Sequence, residues 1–229
     1  MKHALFAFVI AIAACAPASK DATNTTNNDT ATTTAATTTE AAAAPAAAPE
    51  EKEKPMSDYE NKVAELHTDA GEIDIRFYPD VAPNHVKNFI DLAEKGFYNG
   101  TKFHRVIPGF MIQGGDPNTK SGDPSTWGTG GAEKNVRAEF STVSHKRGIV
   151  SMARSQNPDS ASSQFFIVVK DSSFLDRNYT VFGAVTKGMD VADKIVGAPT
   201  AGERPVNPVA ITSITIRDAR PDEQGPAPK

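Results

Sequence analysis

The 229-residue sequence contains a single cysteine, Cys15, and a single tryptophan, Trp127. One cysteine cannot form an intramolecular bridge, so a disulfide framework is excluded. The sequence also lacks a G-x-S-x-G nucleophile elbow and an H-E-x-x-H zinc motif, and its histidines are widely spaced. We therefore expect no serine or cysteine nucleophile, no metal site and no cofactor.

Basic charge and long apolar runs are also scarce. The formal net charge is -4 and the sequence pI is about 5.7, whereas nucleic-acid-binding domains typically carry a basic patch or stripe. We therefore expect no nucleic-acid partner. The longest apolar run covers residues 4–14, about eleven residues, which is too short for the roughly twenty that a membrane-spanning helix needs.

The N-terminus has the features of a targeting segment. Residues 1–14 are predicted to be a signal peptide, because Lys2 gives a cationic start before the apolar run. The tetrapeptide Ile-Ala-Ala-Cys ending at Cys15 resembles the lipobox of bacterial lipoproteins, in which the cysteine is acylated. The resemblance implies a periplasmic protein of a bacterial cell envelope, held at a membrane by a lipid on Cys15. Ala16, rather than an aspartate, favours the outer membrane. The alternative is an ordinary secretory signal with a chance cysteine.

Composition divides the rest of the chain into three segments. Residues 15–56 are rich in Ala, Thr, Asn, Pro and Glu and contain no aromatic residue. Such a segment buries too little apolar surface to offset the entropy of ordering, so we expect a disordered stalk. Residues 57–220 have the composition of one compact domain, which we expect to be monomeric, and residues 221–229 are expected to form a flexible tail.

Hydrophobic periodicity predicts a domain made mostly of strands. One helix is predicted from Pro83 to just before Gly96, and a second over Met189–Val196. Strands are predicted over residues 63–66, 73–77, 103–113, 148–153, 164–169, 179–185 and 210–216. Many strands with frequent turn signals and two short helices predict an all-β fold, a closed antiparallel barrel.

Residues 103–116 read Phe-His-Arg-Val-Ile-Pro-Gly-Phe-Met-Ile-Gln-Gly-Gly-Asp. If they form one strand, Arg105, Met111 and Gln113 share a face, because side chains alternate along a strand. A cation, a thioether and an amide on one surface indicate either an ordinary exposed strand face or one wall of a binding site.

Two further segments give this stretch its meaning. Residues 148–153 read Gly-Ile-Val-Ser-Met-Ala, and residues 163–167 read Ser-Gln-Phe-Phe-Ile. Together with residues 103–116 they closely resemble the cyclophilin family of peptidyl-prolyl cis-trans isomerases, and the resemblance runs over residues 63–216. It implies a closed eight-stranded antiparallel β-barrel capped by two short helices, Pro-containing polypeptides as substrates and, for an exported member, assistance to the folding of exported proteins.

Carried over position by position, the resemblance assigns catalysis to Arg105, Gln113 and His104. It assigns substrate binding to a set of mainly apolar and amide residues: Phe110, Met111, Ala153, Arg154, Gln164, Phe166, Phe174, Leu175 and Tyr179. Two of these depart from the best-known eukaryotic members, which carry tryptophan at the position of Phe174 and histidine at that of Tyr179.

Phe110 raises a conflict between the two kinds of reasoning. Alternation places it on the buried face, whereas the resemblance places it in the pocket beside Met111. We therefore expect a kink or bulge near Pro108 and Gly109. Without the resemblance, the aromatic residues of this set would be interpreted as plain core and Arg105 as a surface charge.

The predicted chemistry needs no proton transfer. Rotation about an X-Pro bond crosses a barrier of about 18 to 20 kcal/mol because it destroys the amide resonance. Midway through rotation the proline nitrogen becomes a hydrogen-bond acceptor, and Arg105 can donate to it only then. The competing hypothesis is a non-catalytic module that binds Pro-containing peptides, as a chaperone does. Such a module would not require the arginine, so we favour the enzyme.

Overall fold

The computed structural model describes residues 55–223 of the chain. The predicted signal peptide, Cys15, nearly all of the predicted stalk and most of the predicted tail lie outside the described residues. Within the described range, no helix is both long and apolar enough to cross a membrane.

Eight strands form one antiparallel sheet and two very short strands form a separate hairpin. In chain order the strands are β1 (Lys62–Thr68), β2 (Gly71–Phe77), β3 (Arg105–Ile107), β4 (Met111–Gly114), β5 (Ile149–Met152), β6 (Phe165–Val168), β7 (Val181–Lys187), β8 (Thr200–Ala201), β9 (Arg204–Pro205) and β10 (Ile211–Asp218). The large sheet has the order β10-β1-β2-β7-β5-β6-β4-β3, and β8 pairs with β9. This all-β architecture confirms the predicted fold class.

The prediction of a closed barrel is wrong, because the sheet is open between β10 and β3. The three-residue β3 and the eight-residue β10 are the two edge strands and do not pair. The chain just before β3 approaches β10 instead, through an isolated bridge between Lys102 and Ala210. The outer edge of β3 faces the small β8–β9 hairpin, and the Val106 amide donates to the Glu203 carbonyl oxygen there at 2.7 Å.

The predicted single strand over residues 103–113 is in fact a hairpin. Pro108 and Gly109 form the turn between β3 and β4, the Phe110 amide donates to the Ile107 carbonyl oxygen at 3.0 Å, and Gly109 has φ +74°. Proline followed by a positive-φ glycine is the pattern of a type II turn. The expected kink is therefore a complete reversal of the chain.

Arg105 and Gln113, predicted to share a face of one strand, are neighbours because the chain reverses between them. Arg105 on β3 and Gln113 on β4 are direct cross-strand partners, and side chains of direct partners project from the same face of a sheet. A hairpin therefore places the cation and the amide side by side, about as close as a strand pair allows.

Two helices, α1 (Pro83–Glu94) and α2 (Met189–Val196), match the predicted helices. The apolar stripe of α1 enters the main core, where Phe89 meets four rings. Its ring centroid lies 4.8 to 5.6 Å from those of Tyr98, Phe165, Phe182 and Phe77. Pro83 occupies the first turn of α1, where its missing N–H costs no helical hydrogen bond.

β6 is buried on both faces, and this separates the core from the site. Phe165 and Ile167 belong to the main core, whereas Phe166 and Val168 face a second, smaller cluster. Alternation along the strand sends consecutive side chains to opposite faces. The second cluster also contains Met111, Leu175, Ile149, Val181, Tyr78 and Val143.

Candidate functional site

A groove of about 850 Å³ lies over the second cluster. It brings together every predicted catalytic and substrate-binding residue except one: His104, Arg105, Phe110, Met111, Gln113, Ala153, Arg154, Phe166, Phe174, Leu175 and Tyr179. The exception, Gln164, lines an adjoining cavity of about 420 Å³. The predicted set is therefore spatially contiguous, although it is drawn from separate strands and loops.

The floor of the groove is apolar. Met111, Phe166 and Leu175 are almost fully buried, and Phe110 is half-buried beside them. Phe174 stands at the rim and is 69% exposed, with its ring centroid 5.3 Å from that of Phe110. An apolar floor with an exposed aromatic rim can accept a compact apolar group, such as a proline ring, and exclude water from it.

One wall is a chain of side-chain hydrogen bonds whose polarity is fixed at its far end. The Gln164 amide nitrogen donates to the carbonyl oxygens of Gly128 and Gly130, at 3.0 and 2.7 Å. Its amide oxygen must then accept, and it does so from Gln113 Nε2 at 2.8 Å. The Gln113 oxygen is therefore turned toward Arg105, whose Nη1 lies 3.4 Å away.

The opposite wall is built by Arg154 and Tyr179. The Arg154 guanidinium lies 4.7 Å from the Tyr179 ring centroid and donates to the carbonyl oxygens of Asn178, Ser155 and Gln156. Its donors are thus largely used in holding the surrounding loop. Arg154 shapes this wall and is poorly placed to supply a free charge.

His104 lies beside Arg105 but is buried, and neither of its ring nitrogens has a hydrogen-bond partner among the described residues. Burial lowers the pKa of His104 below its ordinary value. The ring is therefore neutral at neutral pH, and it does not add a second positive charge beside the guanidinium.

Comparison with known proteins agrees with this geometry. Residues 63–216 match the family model described as cyclophilin type peptidyl-prolyl cis-trans isomerase/CLD. The chain belongs to the cyclophilin family. It is 44% identical over 168 residues to a peptidyl-prolyl cis-trans isomerase of Acinetobacter baylyi, covering 69% of this chain and 86% of that protein. It is 40% identical to peptidyl-prolyl cis-trans isomerase B of Escherichia coli, covering 67% of this chain and 98% of that protein.

Solved structures give the same result. A cyclophilin of Cryptosporidium parvum, determined in the presence of the dipeptide Ala-Pro, superposes with a TM-score of 0.62 at 29% identity, covering 68% of this chain and 99% of that one. A cyclophilin of Hirschia baltica superposes with a TM-score of 0.58 at 30% identity, covering 69% and 74% of the two chains. The family and its named relatives show that this cyclophilin is a peptidyl-prolyl cis-trans isomerase.

Sequence reasoning missed His145, which supports the groove of this cyclophilin from behind. Its ring is nearly parallel to that of Phe166, with centroids 6.2 Å apart. Nδ1 lies 3.0 Å from Asp176 Oδ1, and Nε2 lies 3.1 Å from Ser151 Oγ. The trio resembles a Ser-His-Asp arrangement, but Ser151 is completely buried and cannot meet a substrate. The two contacts of His145 connect β5, which carries Ser151, to the loop that carries Leu175 and Asp176.

Sequence reasoning also missed Glu203, in the turn between β8 and β9. It lines the same groove, and its carboxylate accepts a hydrogen bond from Arg105. No motif pointed to it, because a glutamate in a polar loop is ordinary in sequence.

One acidic cluster lies elsewhere in the described part of the chain. Ligand atoms of Glu65, Glu72 and Asp74 come within 4.8 Å of one another. Arg217 donates to Glu65 and to Asp74, and Lys187 donates to Glu72 at 2.7 Å. Those cations already compensate the carboxylates, so the cluster is not assigned as a metal site.

The buried histidines predict acid sensitivity. Burial lowers the pKa of both His104 and His145 in the folded state, whereas an unfolded histidine has a pKa of about 6.5. The unfolded chain then binds more protons, so the free energy of unfolding should fall as pH drops below about 6.5. Urea unfolding at pH 7.5 and pH 5.5 measures this.

A double variant identifies the groups responsible for that loss. His104→Gln together with His145→Gln should show a smaller loss of stability between the two pH values, whereas His67→Gln, at a half-exposed position, should behave as wild type. An undiminished loss in the double variant would show that other groups cause the acid sensitivity.

Proposed function

We propose that the groove binds the X-Pro segment of a polypeptide, with the proline ring on the floor formed by Met111, Phe166 and Leu175 and with Arg105 as the catalytic residue. One observation carries this proposal: the guanidinium and the apolar floor face the same cavity. The Ala-Pro dipeptide used with the Cryptosporidium parvum relative supports this class of ligand.

Arg105 acts on the transition state. In either planar ground state the proline nitrogen shares its lone pair with the carbonyl group and accepts no hydrogen bond. In the twisted state the lone pair is localised, and a positioned guanidinium can donate to it, which is differential binding of the transition state. Arginine suits this role because it stays charged at any working pH and holds its donors in a rigid fork.

The walls hold the peptide on either side of the proline. Because Gln113 Nε2 donates one of its two hydrogens to Gln164, its second hydrogen is available to a peptide carbonyl group. Ala153 and Arg154, on the loop after β5, line the same groove. Phe110, Phe174 and Tyr179 enclose the proline, and neutral His104 supports Arg105 without taking part in proton transfer.

The decisive test compares catalysis with binding. An X-Pro peptide is added to the full-length wild-type chain and to Arg105→Ala, and both the isomerisation rate and the dissociation constant are measured by NMR. The variant should bind the peptide with nearly wild-type affinity and isomerise it more slowly. An unchanged rate would remove Arg105 from the mechanism.

We further propose that this isomerase is an exported lipoprotein that assists the folding of exported proteins. Support comes from the sequence around Cys15, which lies outside the described residues. The mass of the mature protein purified from the membrane fraction tests the anchor. Removal of residues 1–14 and a mass increase on Cys15 that matches acylation are expected, and a mature chain with an unmodified Cys15 would contradict the proposal.

A further inference from the structure

The β8–β9 hairpin is attached to the strand that carries Arg105. The carbonyl oxygen of its turn residue Glu203 accepts a hydrogen bond from the Val106 amide at 2.7 Å. At the base of the hairpin, the Val206 amide donates to the Pro199 carbonyl oxygen at 2.9 Å. Glu203 is therefore fixed by its backbone one residue away from Arg105 along the edge of the sheet.

The side chain of Glu203 returns to the same strand. Its Oε2 accepts from Arg105 Nε at 2.5 Å, while Gln113 Oε1 lies 3.4 Å from Nη1. Two acceptors on different elements thus hold two of the three guanidinium nitrogens. Nη2 has no partner within the described part of the chain, so its two hydrogens, together with the second hydrogen of Nη1, are left to donate to a substrate.

Two opposite effects of the carboxylate must be weighed. Its negative charge offsets part of the arginine's charge, which would weaken donation to the proline nitrogen. Its hydrogen bond restricts a long side chain that would otherwise sample many rotamers. The side chains of Arg105 and Glu203 are 41% and 56% exposed, so water screens the charge effect, whereas the short, directional contact between Nε and the carboxylate still orients the guanidinium. Positioning should therefore dominate.

We propose that Glu203 is a positioning residue for the isomerase reaction, which fixes the Arg105 guanidinium with Nη2 directed into the groove. This role depends on the catalytic role proposed for Arg105. It also gives the β8–β9 hairpin a function, as the element that completes the active site at the open edge of the sheet.

The test uses the full-length chain and separates kcat from KM for an X-Pro peptide. Glu203→Ala should lower kcat by about threefold to tenfold, the size of one hydrogen bond, with KM nearly unchanged. Glu203→Gln should stay within about twofold of wild type, because its amide oxygen still accepts from Nε. Combined with Arg105→Ala, Glu203→Ala should cause no further loss, since its effect passes through the arginine.

Asp193→Ala is the matched control. Asp193 pairs with Arg147 at 2.7 Å, and the side chains of Arg147 and Asp193 are 42% and 49% exposed, but neither residue lines the groove. This variant should keep wild-type kcat, and both single carboxylate variants should keep the wild-type unfolding midpoint, because exposed ion pairs contribute little to stability.

Two groups of outcomes would overturn the proposal, and they are distinguishable. If Arg105→Ala is slow but Glu203→Ala is as fast as wild type or faster, the glutamate does not position the arginine, and the role of Arg105 stands. The same holds if Glu203→Ala lowers kcat equally with and without Arg105. If Arg105→Ala itself has the wild-type rate, both roles are lost.

Discussion

Replacing Arg105 with alanine is expected to lower kcat/KM for X-Pro isomerisation by about one to two powers of ten. A hydrogen bond from a charged donor contributes about 1.5 to 3 kcal/mol, and each 1.36 kcal/mol corresponds to a factor of about ten in rate. The loss should appear in kcat and leave KM nearly unchanged, because the planar substrate offers the guanidinium no acceptor at the proline nitrogen.

Arg105→Lys separates charge from geometry. A lysine carries its charge on one nitrogen at the end of a flexible stem. It lacks the three nitrogens with which arginine bonds Glu203, bonds Gln113 and still faces the groove. Lysine should therefore recover only part of the lost rate. Arg147→Ala, which removes an arginine outside the groove, should be as fast as wild type. Full recovery by lysine would show that charge alone is sufficient.

The effect of Arg105 also has an upper limit. The remaining acceleration must come from groups that hold the peptide while one bond rotates. In this molecule those groups are the apolar floor under the proline ring and the hydrogen-bonded side chains of Gln113 and Gln164. A residual rate well above that of the free peptide is thus expected in Arg105→Ala.

Local periodicity predicted the elements whose pattern is local. The helix beginning at Pro83 and the hairpin β1–β2 are confirmed to within two residues at each end. In each case a buried stripe with a period of 3.6 or 2 is followed by a glycine that ends or turns the element. Burial and local geometry require the same residues there, so the sequence alone is informative.

Local periodicity failed where a tight turn preserves it. Ile107 pairs with Met111, so three residues separate the paired ends of the two strands, and partners across the hairpin are an even number of positions apart. The alternation therefore continues through the turn and does not reveal that the chain reverses. The open edge of the sheet could not be predicted either. It depends on Lys102 meeting Ala210, and no local pattern encodes the approach of residues so far apart in the chain.

The site shows the same contrast between features that a sequence pattern reveals and features that depend on residues distant in the chain. The family resemblance identified most of the residues that line the groove, and their individual roles remain predictions. Glu203 and His145 were missed because their defining partners are distant: Arg105 is 98 residues from Glu203, and Asp176 is 31 residues from His145. A lone glutamate or histidine acquires meaning only when the fold supplies its partner.

Phe165 and Phe166 are expected to respond to mutation in opposite ways. Phe165 is completely buried in the main core, with its ring centroid 5.3 Å from that of Phe89 and 5.8 Å from that of Tyr98. Phe165→Ala leaves a cavity there and should lower the free energy of unfolding by about 3 to 5 kcal/mol. Because the groove lies on the other face of β6, the protein that remains folded should keep nearly wild-type kcat/KM.

Phe166→Ala removes the floor of the groove instead. An apolar surface holds the proline ring in the ground state and the transition state alike, so its loss should raise KM more than it lowers kcat. Burying a side chain of this kind is worth about 1.5 to 3 kcal/mol, which corresponds to roughly ten- to a hundredfold in KM. The variant should also lose some stability, because Phe166 packs against Tyr179 and the ring of His145.

Urea unfolding and isomerisation kinetics on the two variants measure these effects, with Phe140→Ala as the matched control. Phe140 is 43% exposed, so its loss should change the free energy of unfolding by no more than about 0.5 kcal/mol. If Phe165→Ala raised KM as much as Phe166→Ala, the core and the groove would be mechanically coupled through β6. The separation of the two faces, on which the assignment of the groove depends, would then be wrong.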